Sequence, residues 1–367
     1  MSYKYPVYQP NLTGNEKKYV EECLHSTWIS SKGKFIKQFE DSFSKFVGIK
    51  NSAAVSNGTV ALHVALLALG IGKDDEVIVP TFTYIASVNS IAYTGAKPVF
   101  VDSDPITWQI DPDKIREKIT KKTKALMAVH IYGHPCEIDT IKKIADENNL
   151  YIIEDCAEAI GTYYKDKHAG LFGDISTFSF FGNKAITTGE GGMVCTNNDG
   201  LHDMIIRLKG QGLAKNQEYF HDVIGYNYRM TNICAAIGCA QLERIDEILL
   251  KKRKVAENYI EELKGLEISY HKETGDVRHS YWMFTILVKS ESERSELRKY
   301  LSENGIETRP TFHPVHTMPM YLEKEHYPVA EDLGKRGINL PSYPDLTEED
   351  ICYISKKIEE CYINYII

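Results

Sequence analysis

The sequence predicts an α/β protein: a large domain on a mixed, mostly parallel sheet, followed by a smaller α+β domain. Three observations predict it. Short, continuously apolar runs such as Glu76-Val-Ile-Val-Pro80 alternate with stretches of helical periodicity, and strands apolar on both faces belong to parallel sheets covered by helices. Between 171 and 197 the strand-like runs lie too close together for helices between them, so that part of the sheet departs from parallel pairing. Beyond about 265 the regular alternation stops. The chain has 367 residues, enough for about two domains of ordinary size. The expected division falls in a long helix near 250, giving domains 1–250 and 251–367.

Taken in order, residues 13–25 and 34–47 have helical spacing and flank a polar turn, Ser26-Thr-Trp-Ile-Ser-Ser-Lys-Gly33. The alternation then runs helix 58–70, strand 76–80, helix 84–94, strand 98–102, helix 112–119, strand 124–130, helix 137–147 and strand 150–154. Helices follow at 199–208 and in the long pattern 231–263, where apolar residues recur three and four apart. In the C-terminal part, strands 281–288 and 307–312 flank a helix at 291–303. Thr347-Glu-Glu-Asp350 reads as a capping box for the last helix.

Composition narrows the class. Hydrophobic residues make up 43% and charged residues 26%, ordinary values for a globular enzyme. A net charge of −8 argues against a nucleic-acid partner or a polybasic membrane surface. No apolar run approaches the roughly 20 residues of a membrane span. The N-terminal Met1-Ser-Tyr-Lys-Tyr-Pro lacks a basic segment followed by an apolar one, so a cytoplasmic location is expected. The cysteines at 23, 136, 156, 195, 234, 239, 352 and 361 are scattered without a Cys-x-x-Cys. Several lie in apolar runs and read as small core residues, and the chain is expected in a reducing compartment.

The chemistry centres on Lys184. It stands between the aromatic run Phe178-Ser-Phe-Phe181 and the glycine-rich return Gly189-Glu-Gly-Gly192. A lysine partly desolvated between apolar runs holds its proton less firmly, which suits a Schiff-base lysine; the bland reading is a turn lysine in solvent. Ser56-Asn-Gly-Thr59 precedes the helical run from Val60. It offers free N–H groups, a hydroxyl and close backbone approach to a phosphate, or serves only as a cap. Glu154-Asp155 closes a strand whose carboxyl end faces the ligand crevice of a parallel sheet, and Glu158 follows one turn later. The aromatics of Pro80-Thr-Phe-Thr-Tyr84 either stack on a planar ligand or pack in the core. Gly225-Tyr-Asn-Tyr-Arg-Met-Thr-Asn232 either positions anions through Asn227 and Arg229 or caps the next helix. The pair in His313-Pro-Val-His316 is unsuited to metal binding, because no carboxylate or thiol completes a ligand set. One explanation gathers these features: a phosphate cradle, an aromatic stacker, an acidic group at a strand end and a Schiff-base lysine are what pyridoxal 5'-phosphate requires.

On these motifs, which match in order and spacing along essentially the whole chain, the sequence resembles the DegT/DnrJ/EryC1/StrS family of sugar aminotransferases. The resemblance implies the fold type I, aspartate-aminotransferase-like architecture of pyridoxal-phosphate enzymes. It implies Lys184 as Schiff-base lysine and proton shuttle, Asp155 as partner of the pyridine nitrogen and Glu158 near the cofactor's hydroxyl. Gly58, Thr59 and Ser179 would hold the phosphate, and Tyr84 would stack on the ring. Asn227 would reach the phosphate in a neighbouring subunit, making a homodimer the functional unit. His316, Arg229 and Trp28 are implied substrate contacts. Many family members carry Gln where Glu158 stands. Thr27-Trp-Ile-Ser-Ser, Thr83-Tyr-Ile-Ala-Ser and Phe178-Ser-Phe-Phe-Gly-Asn-Lys184 are most similar to the branch that forms GDP-perosamine. A related branch of 3-dehydratases has histidine in place of the lysine, so Lys184 points to transamination. The expected activity is transfer of an amino group from L-glutamate, leaving 2-oxoglutarate, to C4 of a nucleotide-linked 4-keto-6-deoxy sugar. GDP-4-keto-6-deoxy-D-mannose is the leading substrate, with UDP- or dTDP-4-keto-6-deoxyglucose, giving a viosamine-type product, as the alternative.

Overall fold

A computed structural model describes residues 3–273 and 275–363, and strands alternate with helices from residue 51 onward. The chain opens with α1 (Glu16–Ser26) and α2 (Lys34–Val47). It continues through β1 (Asn51–Val55), α3 (Gly58–Ala68), β2 (Glu76–Pro80), α4 (Ile85–Tyr93), β3 (Lys97–Val101) and α5 (Pro112–Lys118). Next come β4 (Thr123–Val129), α6 (Ile138–Asn148), β5 (Tyr151–Asp155), β6 (Tyr163–Tyr164), β7 (Lys167–His168), β8 (Ile175–Ser179) and β9 (Gly192–Thr196). Three helices follow, α7 (Asp199–Lys209), α8 (Asn232–Leu242) and α9 (Ile245–Glu262). The last part holds β10 (Ser269–Tyr270), β11 (Val277–Arg278), β12 (Phe284–Leu287), α10 (Glu291–Glu303) and β13 (Arg309–Pro310). It ends with α11 (Pro328–Arg336), β14 (Gly337–Leu340) and α12 (Glu348–Cys361).

Seven strands form the large sheet in the order β1-β9-β8-β5-β4-β2-β3. Only β9 runs against both neighbours; the other pairs are parallel. The sheet is therefore mixed and mostly parallel, and β9 is the closely spaced strand that breaks the pattern. The carboxyl ends of β1, β2, β4, β5 and β8 consequently share one edge, where the loops that follow them converge. A second sheet, β10-β12-β14-β13, is antiparallel throughout.

Phe178 and Phe180 are fully buried against Phe39 and Phe43 of α2, in edge-to-face and tilted contacts of 4.9–5.3 Å, so the aromatic run before Lys184 is anchored in the core. Helix α9 joins two cores: Ile245, Ile248 and Leu249 pack with that aromatic cluster, and Val255, Ala256 and Tyr259 pack under the second sheet. Among the described residues no helix is long and apolar enough to cross a membrane.

Several elements differ from expectation. The pattern 231–263 breaks at Glu243-Arg244 into α8 and α9, where Arg244 leaves helical geometry and bonds Asn11 and Glu247. Strand 281–288 shortens to β12, because Tyr281 has a left-handed φ of 49°. Strand 307–312 shortens to β13, which ends at a proline lacking a ladder donor. β1 was not expected, since Asn51-Ser-Ala-Ala-Val55 carries little strand propensity.

Candidate active site

Lys184 sits on a turn after β8 that three hydrogen bonds define. Its N–H donates to Phe181 (2.9 Å), its carbonyl accepts from the Tyr8 hydroxyl (2.6 Å), and the neighbouring Asn183 carbonyl accepts from Trp282 Nε1 (2.7 Å). The side chain is 12% exposed, with Nζ 3.6 Å from Glu158 Oε1 and 3.9 Å from the Trp282 ring centre. Burial lowers the affinity of Lys184 for its proton, and the Glu158 and Asp155 carboxylates only partly restore it. Burial also pushes the Glu158 carboxyl up to about 7, against the pull of Lys184 and the Tyr132 N–H. Burial thus disfavours the charged form of both the amine and the carboxyl, which suits neighbouring groups that are to give and take a proton.

Glu154 and Asp155 end β5, and strand alternation turns them to opposite faces of the sheet. Asp155 is buried, with Oδ2 accepting from Ser87 (2.8 Å) and Oδ1 from the Ala157 N–H (3.1 Å). Burial raises its pKa, offset in part by those two donors and by Lys184. Ser87 in turn meets the Thr83 hydroxyl at 3.0 Å. Glu154 faces away from this set. Its oxygens accept from the backbone N–H groups of Gly170, Phe172 and Gly173 and pair with His130 Nε2 at 3.0 Å. His130 Nδ1 accepts the Cys136 N–H, which assigns the imidazole proton to Nε2 and its donation to Glu154. His130, Glu154 and Cys156 are the one group of described residues with atoms spaced for a metal ion, but both oxygens of Glu154 are already engaged.

The motif after β1 meets the end of β8. Asn57 caps α3 by accepting the Val60 N–H at 3.0 Å, leaving the first N–H groups, those of Gly58 and Thr59, without intrahelical acceptors. A Cβ on Gly58 would lie 2.7 Å from Ser179 Cβ and 3.0 Å from its Oγ, so Gly58 is what lets the helix start and this hydroxyl share one cradle. A Cβ on Gly192 would fall 2.5 Å from the Asn57 carbonyl, which explains one glycine of the Gly189–Gly192 return.

The remaining expected residues divide. Tyr84 is 57% exposed beside Phe312 (5.7 Å between ring centres), whereas Phe82 is core. Asn227 and Arg229 are exposed and bonded to each other, with Arg229 bridged to Val55 beside the cradle. His316 is buried, its Nδ1 2.7 Å from Thr81 Oγ1 and its ring on Tyr327. Trp28 is 56% exposed and lines a cavity of about 450 Å³ with Glu22, Lys34 and Asn232, apart from the Lys184 group.

Three site residues escaped sequence reasoning. Tyr132 holds a left-handed φ of 57°, its N–H bonded to Glu158; a strained non-glycine residue at a strand end is a functional marker. It follows β4, so the strand-end rule that selects Asp155 could have found it. Trp282 and Phe312 stack on its ring at 6.0 and 5.4 Å; both come from distant segments and carry no local signal.

A buried lysine–carboxyl pair, a second carboxylate and a cradle of free donors at one sheet edge have the chemistry that a pyridoxal-phosphate transferase requires. The match to known proteins is to the same class. Residues 10–359 fit the DegT/DnrJ/EryC1/StrS aminotransferase family, and the chain belongs to that family. It is 61% identical over 358 residues to GDP-perosamine synthase of Escherichia coli O157:H7 (97% of this chain, 98% of the relative). It is 52% identical over 365 residues to GDP-perosamine synthase of Vibrio cholerae (98% of each). The fold matches the PLP-form of the putative sugar aminotransferase Spr1654 from Streptococcus pneumoniae, with TM-score 0.93, 27% identity and 98% of each chain covered. The cradle, the amine and the carboxylates described above fit pyridoxal 5'-phosphate.

Proposed function

We propose that this chain is a 4-aminotransferase that converts GDP-4-keto-6-deoxy-D-mannose to GDP-perosamine, with L-glutamate as amino donor, in the biosynthesis of a cell-surface polysaccharide. The observation that carries the reading is Lys184, buried against Glu158 and Trp282 at the strand edge that also holds Asp155 and the Gly58–Ser179 cradle. The choice of sugar nucleotide rests on the two relatives named GDP-perosamine synthase. Pyridoxal 5'-phosphate, when bound, supplies the electron sink for moving an amino group between glutamate and a keto sugar.

The protein's part is to hold the groups and move protons. The Gly58 and Thr59 N–H groups and the Ser179 hydroxyl would hold the phosphate at the positive end of α3. Asp155, kept in place by Ser87 and Ala157, offers a carboxylate to a protonated ring nitrogen. Tyr84 presents an exposed ring face for stacking. Lys184 carries the proton exchanged at the reacting carbon, and Glu158 at 3.6 Å takes or returns one at near-neutral pH. Asn227 sits on an exposed segment with Tyr219, Phe220 and Ile224, a surface suited to a second subunit, so a homodimer with shared sites belongs to this proposal. Arg229, Trp28 and His316 are proposed substrate contacts; His316 would act from beneath Thr81.

The test is product formation with GDP-, UDP- and dTDP-linked 4-keto-6-deoxy sugars side by side, with glutamate as donor. Amination of the GDP-mannose derivative at the highest kcat/KM is expected. Preference for a UDP or dTDP sugar moves the assignment to a viosamine-type enzyme, and no amination of any of them overturns it.

A further inference from the structure

Two lysines outside the chemistry above are buried: Lys209 is paired with Glu40, whereas the burial of Lys252 has no such partner to explain it among the described residues. It stands in the middle of α9, 1% exposed, and among the described residues makes no ion pair with a carboxylate. Its Nζ donates to the Trp282 carbonyl (3.1 Å) and to the Ser342 carbonyl (2.6 Å), and lies 5.2 Å from the centre of the Tyr8 ring. Burying an amine so deeply is unfavourable, and it pushes the Lys252 pKa down to about 7. A methionine would fill similar space without that cost.

What the amine touches gives the reason. Trp282 and Tyr8 are the two side chains that pin the Lys184 turn. Tyr8 holds the Lys184 carbonyl, and Trp282 holds the Asn183 carbonyl while its ring face carries the Lys184 ammonium at 3.9 Å. The Trp282 N–H is fixed by the Tyr132 carbonyl and its ring is stacked on Tyr132. Its carbonyl is the one remaining handle, and Lys252 takes it. The four segments that meet here come from the N-terminal stretch, α9, the approach to β12 and the exit of β14, none of which belongs to the large sheet.

We propose that Lys252 is a positioning residue for transamination. It acts through Trp282 and Tyr8 to hold Lys184 over the reacting carbon. This rests on the reading of Lys184 as the reactive lysine. A group displaced by about 1 Å loses on the order of 10²-fold in rate, so the effect belongs in kcat, while substrate affinity stays in loops that Lys252 does not touch.

The experiment uses the cofactor-loaded enzyme with Lys252→Met, Tyr8→Phe, Trp282→Phe and their combinations, with Lys184→Ala as control. Lys184→Ala should abolish the absorbance change on adding glutamate; a full response there sinks the reading of the site itself. Given that control, Lys252→Met should slow the glutamate half-reaction at least tenfold with KM within about threefold, and should alter the near-ultraviolet circular dichroism of the bound cofactor. In cofactor-free protein, Lys184 labelling by an amine reagent, read at its own peptide, should change its pH midpoint. Adding Lys252→Met to the Tyr8→Phe/Trp282→Phe enzyme should cost less than twofold more, because the route is already cut. A lower melting temperature with an unchanged half-reaction rate, dichroism and labelling midpoint overturns the proposal. Full additivity with the double variant overturns it too. If Lys252→Met does not fold, Lys252→Arg and the Tyr8 and Trp282 single variants carry the same comparison.

Discussion

Glu154 and Asp155 are adjacent carboxylates at the end of one strand, both buried, yet their surroundings differ. Glu154 receives three backbone N–H donors and the His130 N–H, which outweigh the burial that would raise its pKa and hold it below the usual range. Asp155 has two donors, and burial leaves its pKa raised. One carboxylate is satisfied by its own fold and ties the 170–173 loop to β5. The other accepts one hydrogen bond on each oxygen and lies beside a lysine and a second carboxyl that are likewise displaced from their ordinary proton affinities. Groups of opposite kind whose proton affinities are displaced by burial at a strand edge mark chemistry; a carboxylate saturated with backbone donors marks architecture.

The sharpest way to break that contrast starts from Lys184. Lys184→Ala should lower turnover by more than about 10⁴-fold, beyond the range of one general acid–base group because tether and base are lost together. The cofactor-free protein should melt no lower than the parent, since a desolvated amine has been removed; steady-state assay and thermal denaturation decide it. Asp155→Asn follows, with a loss on the order of 10²-fold and again no loss of apo stability. Glu154→Gln should do the reverse. In either orientation the new amide N–H would face two donors, Phe172 and Gly173 or Gly170 and His130, costing about 1–3 kcal/mol of stability, while the folded fraction keeps its kcat and KM. A Glu154→Gln enzyme that is stable but inactive would erase the distinction drawn here. Gly58→Ala is smaller. Its new methyl must displace Ser179 from 2.7 Å, so the Kd for the cofactor should rise roughly tenfold, the worth of one weakened hydrogen bond to a charged group, measured by cofactor titration.

Much of this was legible before any coordinates. Asp155 and Ser179 are strand ends, Gly58 and Thr59 open a helix, and Lys184 lies between apolar runs; each is a local signal that parallel-sheet geometry turns into a common edge. What was not legible depends on tertiary contact. Trp282 is separated from Lys184 by 98 positions (282 − 184), and nothing within its own segment marks its ring as the surface under that amine. The same holds for Lys252, which reads from sequence as one more cation in Lys251-Lys-Arg-Lys254 on a solvated helix face. His316 likewise carries no local signal for its setting: only the structure shows it seated on Thr81 and Tyr327.

A third buried cluster limits how far missing partners alone can be read as function. His134, His271 and His279 have ring centres 5.5–5.6 Å apart, and His271 packs on Trp108 at 3.7 Å. Nε2 of His134, Nε2 of His279 and both ring nitrogens of His271 have no hydrogen-bond partner among the described residues. Burial lowers the pKa of all three; His134 also disfavours charge on His271, and both of these disfavour it on His279. Their folded pKa values therefore lie below the unfolded value of about 6.5, so the unfolded chain binds more protons as the pH drops. The stability these neutral rings permit is complete above about pH 6.5 and declines as pH falls below it. Melting temperature should drop between pH 7.5 and 5.5, and His271→Phe, which keeps the ring on Trp108, should flatten that drop without changing kcat at pH 7.5. A flat parental profile would mean that buried water satisfies these nitrogens in both charge states. A changed kcat in His271→Phe would mean that the cluster feeds the active site through Tyr132, whose ring lies 6.1 Å from His271.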